Sequence, residues 1–333
     1  MSRPPLQAWS ELCSLPHQPL DGGLINETYA VGTPPVAVVQ KLHPVFPGRV
    51  NEDIAAVTAH LAAKGMCTPR VIPAADGRLW VETEQGPWRA LTWVPGRSVH
   101  KVSDPALAAA AGALVARWHH AVSDLEHEFV FSRPLAHHTP HHMELLQQAL
   151  DAHKDHRLHD QVAPLAQEVL GLWERWQGEL DEPTAVAHGD LKISNLRFDE
   201  AGQGICLLDL DTMGRLPLSV ELGDAWRSWC NPAAEDAAET RFDLELFEAS
   251  ARGYLAERPL ESWQRVLLPF GVERICLELS ARFLCDALEE RYFGWNPKVA
   301  PTRGAHNLLR GQGQLALARS VHSQLGAMHQ ILR

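Results

Sequence analysis

The segment His188–Asn195 reads HGDLKISN and is followed by the apolar run Ile205–Leu208 and then by Asp209. A Gly-Asp pair favours a tight turn, and a short apolar run is typical of a buried strand. The pattern therefore places two acids, Asp190 and Asp209, and one amide, Asn195, around a loop and the end of a strand.

These three side chains match what phosphoryl transfer from ATP requires, because positioning and charge neutralisation dominate that reaction. Asp190 would orient and deprotonate an attacking hydroxyl group. Asn195 and Asp209 would bind Mg²⁺ and hold it against the phosphates. Asp211 would bind a second metal ion or stabilise the turn. The alternative to this chemistry is a solvated loop whose polar side chains cap a helix.

Composition limits the classes of protein. The 333 residues are 45% hydrophobic and 21% charged, which is typical of a globular protein with a sizeable core. The formal net charge of −11 argues against a nucleic-acid partner. Six cysteines without a CxxC pair predict a reduced, cytoplasmic protein. We expect no signal peptide and no membrane span, since the apolar run Ala106–Ala116 is too short.

The pattern along the chain predicts an α+β protein of two lobes. In the first, over 1–95, we expect a helix over 51–64 and strands near 24–31, 36–42, 70–72, 79–82 and 89–94. The second, over 96–333, is mainly helical, with strands only at 196–198 and 205–209. Its helices are predicted over 104–119, 141–152, 158–179, 240–256, 260–290 (broken near Pro269) and 306–329.

The first lobe contains candidate nucleotide-binding residues. Gly22 and Gly23 form a turn whose backbone N–H groups can approach phosphates. Lys41 ends the next strand and would reach phosphate oxygens as a point charge. Glu52, or Asp53 beside it, would pair with Lys41 as a lysine and a glutamate do in protein kinases.

Two further pairs of residues complete the predicted site. Trp93 and Val94 lie where the lobes join, at the place where kinase backbone binds adenine. Asp224 lies near the start of a predicted helix and is expected to accept hydrogen bonds from the backbone around His188, and so to orient His188.

The HGDLKISN segment and the strand ending in Asp209 resemble the aminoglycoside phosphotransferase-like small-molecule kinases. Other segments, from GGLINETY through VVQKLHPVFPG and ELGDAWR to AHNLLR, occur in the same order in the branch of the N-acetylhexosamine 1-kinases, over about residues 22–320. The resemblance implies a bilobal, protein-kinase-like fold with a small β-rich N-lobe and a larger helical C-lobe. It also implies ATP and Mg²⁺ as cofactors and an amino sugar or hexose as acceptor, with the anomeric hydroxyl as one candidate position.

By position, Arg282 and Tyr292 are similar to the residues that contact sugar in that branch. Leu191 departs from the branch, where we associate threonine with this position, and this leaves the acceptor open. Two alternatives remain at this stage: an aminoglycoside or other small-molecule phosphotransferase, and a catalytically silent nucleotide-binding protein. The sequence does not indicate an oligomeric state.

Overall fold

The computed structural model describes residues 2–20, 26–133 and 135–333. Among these residues, the N-terminal part contains one α-helix, α1 (Val50–Ala63), and seven strands. These are β1 (His17–Pro19), β2 (Glu27–Val31), β3 (Ala37–Lys41), β4 (Val71–Ile72), β5 (Val81–Thr83), β6 (Gly86–Thr92) and β7 (Arg97–Ser98). The predicted turn at Gly22 and Gly23 lies outside the described residues.

Six of these strands form an antiparallel sheet in the order β1-β2-β3-β6-β4, and β5 also pairs with β6. Side chains alternate between the faces of a strand, so each strand contributes to two environments. One face covers a small aromatic core that includes Trp9, Tyr29 and Trp88. The opposite face looks towards the C-terminal lobe and forms the roof of a cleft.

The C-terminal part is mainly helical, as expected. Its elements are α2 (Pro105–Ala121), α3 (Thr139–Ala152), α4 (His159–Glu174), β8 (Thr184–Ala187), β9 (Leu196–Phe198), β10 (Gly204–Leu207), β11 (Gly214–Pro217), α5 (Leu218–Trp229), α6 (Leu244–Glu257), α7 (Ser262–Glu289) and α8 (Arg303–Ile331). The expected α+β, bilobal, protein-kinase-like fold is confirmed. The boundary near residue 95 stays a prediction.

The helix α7 runs without the break that we expected at Pro269. Two residues on, a Cβ atom at Gly271 would lie 2.1 Å from the backbone oxygen of Ser219, so α5 and α7 pack backbone against backbone. Tertiary packing of this kind outweighs the low helix propensity of a single proline. Pro269 itself is buried in this interface region.

Short strand pairs hold the loops between the lobes. Strand β8 pairs with β11, and β9 lies between β10 and β7. The loop 188–195 therefore connects two of these pairs, and Asp209 lies two residues after the end of β10. Over the residues that the structure describes, no helix is both long enough and apolar enough to cross a membrane.

Candidate active site

The backbone of the loop 188–195 is fixed by contacts from three sides. Gly189 has φ +80°, and a Cβ atom there would lie 2.4 Å from the backbone oxygen of Thr212, so only glycine fits. The His188 ring bonds through Nε2 to the oxygen of Leu208 at 2.8 Å, and the Trp229 indole N–H donates to the oxygen of Leu191 at 2.7 Å. The loop is thus held before any ligand binds.

Glu221 anchors the start of this loop from α5. Its Oε1 accepts a hydrogen bond from the backbone N–H of His188 at 2.7 Å, and its Oε2 accepts one from Gly189 at 3.0 Å. Burial alone would raise the pKa of Glu221, but the contact with His119 and these backbone donors lower it. The carboxylate is therefore held charged.

The prediction that Asp224 accepts hydrogen bonds from the backbone of this loop is wrong, because Glu221 accepts them. Asp224 bonds instead to Arg227, three residues on, with 2.8 Å between Oδ1 and Nη2. On a helix, residues three apart lie on the same face, so Glu221 and Asp224 both face the protein interior but at different heights along the axis. Glu221 is the one that reaches the loop backbone.

Asp190, Lys192 and Asn195 form a compact cluster in the loop. The Lys192 ammonium group donates to Asp190 Oδ2 at 2.7 Å and lies 3.8 Å from Asp209 Oδ2. The Asn195 amide nitrogen donates to the backbone oxygen and to Oδ2 of Asp190, at 2.9 and 3.2 Å. These contacts leave the Asn195 amide oxygen as the atom that a cation would bind.

Asp209 is held in an unusual backbone conformation. Its φ of +61° lies in the left-handed region, which residues other than glycine rarely occupy and which is found at functional sites. Burial, together with the negative charge of Asp211 and Asp190, raises the pKa of Asp209, while Lys192 and Arg89 oppose that rise. A further positive charge near this carboxylate would favour its ionised form.

The donor set fits Mg²⁺, a hard cation that prefers oxygen ligands. The Asn195 amide oxygen and the Asp209 carboxylate are oxygen donors that face the same cleft. Within the described ranges, no group of three or more His, Cys, Asp and Glu side chains could hold a metal ion. A bound Mg²⁺ would therefore take its remaining ligands from phosphate oxygens and water, as it usually does.

The cleft between the lobes has a volume of about 360 Å³ and combines residues predicted separately. Trp93 and Val94 line it together with Asn195 and Asp209, and Lys192 contributes its ammonium group. The Val94 backbone oxygen already accepts a hydrogen bond from Arg197 at 2.9 Å. The volume of the cleft lies within the usual range of small-molecule binding sites.

Lys41 does not face this cleft. Its ammonium group contacts Ser2 Oγ at 3.0 Å and Glu27 Oε1 at 3.2 Å. Lys41 ends β3, and because side chains alternate along a strand, it lies on the opposite face of the sheet from its neighbour Gln40, which lines the cleft. The expected contact of Lys41 with phosphates is therefore wrong for this conformation.

The expected partners of Lys41 lie elsewhere as well. Glu52 is exposed to solvent on α1. Asp53 is buried and accepts hydrogen bonds from the backbone N–H groups of Val130 and Phe131. Arg89 on β6 is a cation of this sheet that does face the cleft. It was not predicted from the sequence, although a charged residue in a mostly apolar strand was a signal for it.

Arg282 and Tyr292 line a second cavity of about 450 Å³ in the C-terminal lobe. The Arg282 guanidinium carbon lies 6.0 Å from the centre of the Tyr292 ring and 5.6 Å from that of Phe293. Asp286 accepts hydrogen bonds from the backbone N–H groups of residues 291–293 and so fixes this loop. It does not pair with Arg282, whose acidic partner is Glu278, at 3.7 Å.

Asp224 links this cavity to the catalytic loop electrostatically. Burial alone would raise the pKa of Asp224, but the charges of Arg227, His137 and Arg282 lower it. Burial disfavours the charged form of Lys192, whereas Asp190, Asp209 and Asp224 raise its pKa. One half-buried carboxylate thus acts on the cations of both sites.

Asp190 and Asn195 on the loop 188–195, and Asp209 after β10, lie beneath a β-rich lobe, and this arrangement is the one expected of kinase-like phosphotransferases. The model of the phosphotransferase enzyme family, APH, matches residues 17–260. The chain belongs to this family, and the resemblance of its HGDLKISN segment to small-molecule kinases is confirmed. The N-acetylhexosamine 1-kinase branch stays a prediction.

Several known proteins are similar to the chain. A homoserine kinase from Cupriavidus metallidurans is 30% identical over 233 residues, which cover 65% of this chain and 66% of that protein. The structure of a microcompartment-associated aminopropanol kinase has a TM-score of 0.64 at 19% identity and covers 96% of both chains. An aminoglycoside phosphotransferase from Alicyclobacillus acidocaldarius has a TM-score of 0.62 at 16% identity and covers 98% of both.

Proposed function

We propose that this protein transfers the γ-phosphoryl group of ATP to a hydroxyl group of a small molecule, and that the acceptor is an amino sugar or a related hexose. The observation that carries the proposal is the cluster of Asp190, Asn195 and Asp209 around Lys192, at the edge of the cleft between the lobes. Family membership supports the reaction class.

In the proposed reaction, the acceptor oxygen bonds to the γ-phosphorus while the bond from that phosphorus to the ADP oxygen breaks. Asp190 orients the acceptor hydroxyl and takes its proton. Lys192 neutralises negative charge between Asp190 and the phosphates. Asn195 and Asp209 would hold Mg²⁺, which when bound neutralises the phosphate oxygens.

The adenine is expected against the backbone at Trp93 and Val94, as the resemblance implies. The cleft supports this location because both residues line it together with Asp209. The glycines Gly22 and Gly23 stay a prediction for the phosphates. This arrangement would leave the acceptor to approach from the C-terminal lobe.

The cavity at Arg282 supports a polar acceptor with an apolar face. A guanidinium group offers a rigid fork of donors to hydroxyl or acetamido oxygens. The exposed Tyr292 ring can stack on the apolar face of a sugar. The charge of Arg282 argues against a polycationic aminoglycoside, because like charges repel in a confined pocket.

A second candidate acceptor is a hydroxylated amino acid such as homoserine. The relative that is 30% identical is a homoserine kinase. Arg282 would bind a carboxylate in two parallel hydrogen bonds, which makes the same cavity suitable for such an acceptor. A catalytically silent protein is disfavoured because Asp190, Asn195 and Asp209 are all present and assembled.

The experiment is an acceptor panel with the purified protein, ATP and Mg²⁺. It includes hexoses, N-acetylhexosamines, homoserine, aminoalcohols and aminoglycosides, with ADP formation as the first readout and phosphorus NMR of the product as the second. A sugar phosphate as product supports the proposal. O-phosphohomoserine as product would show that the acceptor is homoserine and not a sugar. If no acceptor increases ADP formation, the proposed function is wrong.

A further inference from the structure

The register of three strands decides which side chains of the sheet face the cleft. Thr28 pairs with Gln40, and Gln40 pairs with Arg89, so these three lie in one row across β2, β3 and β6. Each of them lines the cleft. The next row, which contains Lys41 and Trp88, faces the opposite side.

Each guanidinium nitrogen of Arg89 has a polar partner, and its side chain is only 1% exposed. Its Nε donates to Gln40 Oε1 at 2.9 Å, and its Nη2 donates to Asp211 Oδ2 at 3.0 Å. Its Nη1 contacts both Asp211 Oδ1 and Asn51 Oδ1. The two parallel contacts with Asp211 form a bidentate ion pair, a geometry that lysine cannot make.

Asp211 connects this pair to the proposed metal site. It lies in a single turn of 3₁₀ helix, Leu210–Thr212, that starts directly after Asp209. Asn26 donates to Asp211 Oδ2 at 2.7 Å, while its own Oδ1 accepts from the backbone N–H of His43. Strand and loop residues of the N-terminal lobe thus fix the turn that follows Asp209.

We infer that Arg89, and not Lys41, is the N-lobe cation that positions the metal-binding turn. The bidentate pair with Asp211 fixes the turn and thereby maintains the left-handed conformation of Asp209. Arg89 is a positioning residue, since it acts on Asp209 through Asp211. The inference rests on the proposed function, in which Asp209 binds Mg²⁺.

The strain at Asp209 explains why such an anchor is needed. A residue other than glycine persists in the strained left-handed region only where the surrounding structure holds it there. A buried ion pair with further hydrogen bonds supplies a fixed geometry, and its loss leaves a buried charge without a partner. Partners that orient a metal ligand contribute about 10–100-fold to metal affinity or activity.

The test compares variants by titration calorimetry of Mg-ATP, with the melting temperature measured in parallel. Arg89→Lys keeps the charge and removes the fork. The double variant Arg89→Met/Asp211→Asn removes both charges, so that the fold survives without a buried unpaired ion. Lys41→Ala is the matched comparison on the opposite face of the sheet.

We expect both Arg89 variants to weaken Mg-ATP binding by about 10-fold or more, as partners of a metal ligand do, and Lys41→Ala to change it less than about 2-fold. The double variant should show this loss of binding although its melting temperature stays near that of the wild type. Mg-ATP binding in the double variant that equals wild-type binding would overturn the inference, and so would a larger loss in Lys41→Ala.

The titration needs no acceptor, so it separates the two proposals. A wild-type protein that does not bind Mg-ATP contradicts both the proposed function and the role of Arg89. A wild-type protein that binds Mg-ATP, together with Arg89 variants that bind it equally well, contradicts only the role of Arg89.

Discussion

Two ionic clusters lie about Asp209, and they differ in how completely they are paired. In the pair of Arg89 and Asp211, both side chains are 1% exposed and one cation meets one anion. In the cluster of Asp190, Lys192 and Asp209, the side chains are 28%, 28% and 38% exposed, and one cation is shared by two anions. The first cluster is closed to solvent and neutral, and the second is open and carries a net negative charge.

This difference indicates which cluster binds a ligand. A closed, neutral pair with all its hydrogen bonds made fixes geometry. An open cluster with an excess carboxylate favours an incoming cation. The raised pKa of Asp209, to which partial burial and the charges of Asp211 and Asp190 contribute, reflects the same excess of negative charge. We therefore assign chemistry to the open cluster and support to the closed one, and the predictions below test that division.

Asp190→Asn should have the largest effect. The amide cannot accept the proton of the acceptor, so kcat should fall by about 10²–10⁴-fold. The contacts of Asp190 with Lys192 and Asn195 involve hydrogen bonds that an amide oxygen also accepts, so the fold and the nucleotide affinity should persist. Steady-state kinetics with the acceptor found in the panel provides the measurement. A variant that retains more than about a third of wild-type kcat would contradict the role of Asp190 as base.

Asp209→Ala should remove the Mg²⁺ dependence of nucleotide binding. The variant loses one of two proposed protein ligands, so activity should not recover as Mg²⁺ is raised. The check is the initial rate as a function of Mg²⁺ concentration. Activity and Mg²⁺ dependence equal to those of the wild type would transfer the metal role to Asp211 and reverse the division between the clusters.

Arg282→Ala should raise the acceptor KM by about 10-fold or more, the cost of losing a hydrogen bond from a charged group, and leave the ATP KM unchanged. Arg252→Ala is the control, because Arg252 forms only an exposed pair with Glu248. Both KM values are measured for each variant. An acceptor KM equal to that of the control variant would show that Arg282 only packs against Glu278 and the Tyr292 ring.

Glu221→Gln should have the smallest effect of these substitutions on activity at neutral pH. Its effect on the free energy of unfolding should be measurable. The native pKa of Glu221 is lowered below 4.5, since burial is outweighed by His119 and the backbone donors. A lowered carboxyl pKa adds stability that is complete above the unfolded pKa and is lost as pH falls through the native pKa.

At pH 7 the free energy of unfolding of the variant should therefore be about 1–3 kcal/mol lower than that of the wild type. On acidification below pH 4.5, this free energy should fall less in the variant than in the wild type. Urea unfolding at pH 7 and at several acidic values measures both quantities. If the two proteins show the same loss on acidification, Glu221 is not the ionised anchor of His188 and Gly189.

The sequence predicted the parts of the molecule that local pattern determines. The HGDLKISN loop and the apolar strand near Asp209 are each a continuous stretch of sequence, so the local structure of each follows from turn chemistry and strand burial. Helices α1 and α2 begin within a residue of the predicted starts, and Asp104 caps α2 by accepting from the backbone N–H of Leu107, as the Asp-Pro pair suggests.

The predictions that were wrong concern features that depend on contacts between residues distant in the sequence. A shift of one residue along a strand exchanges the two faces, so the face occupied by Lys41 could not be read without the pairing of β3 with β6. Glu221 and Asp224 are both acids on α5, and only the position of the loop distinguishes them. Pro269 was expected to break a helix that is continuous in the structure, where Gly271 lets α7 approach α5 closely.

The most direct test of the account is titration calorimetry of Mg-ATP into the wild type, Asp190→Asn and Asp209→Ala under one set of conditions. If Asp190 acts on the acceptor and Asp209 on the metal, Asp190→Asn should bind Mg-ATP with wild-type affinity, and Asp209→Ala should bind it no better than ATP without Mg²⁺. Equal binding by all three proteins, or loss of binding in Asp190→Asn alone, would contradict the account.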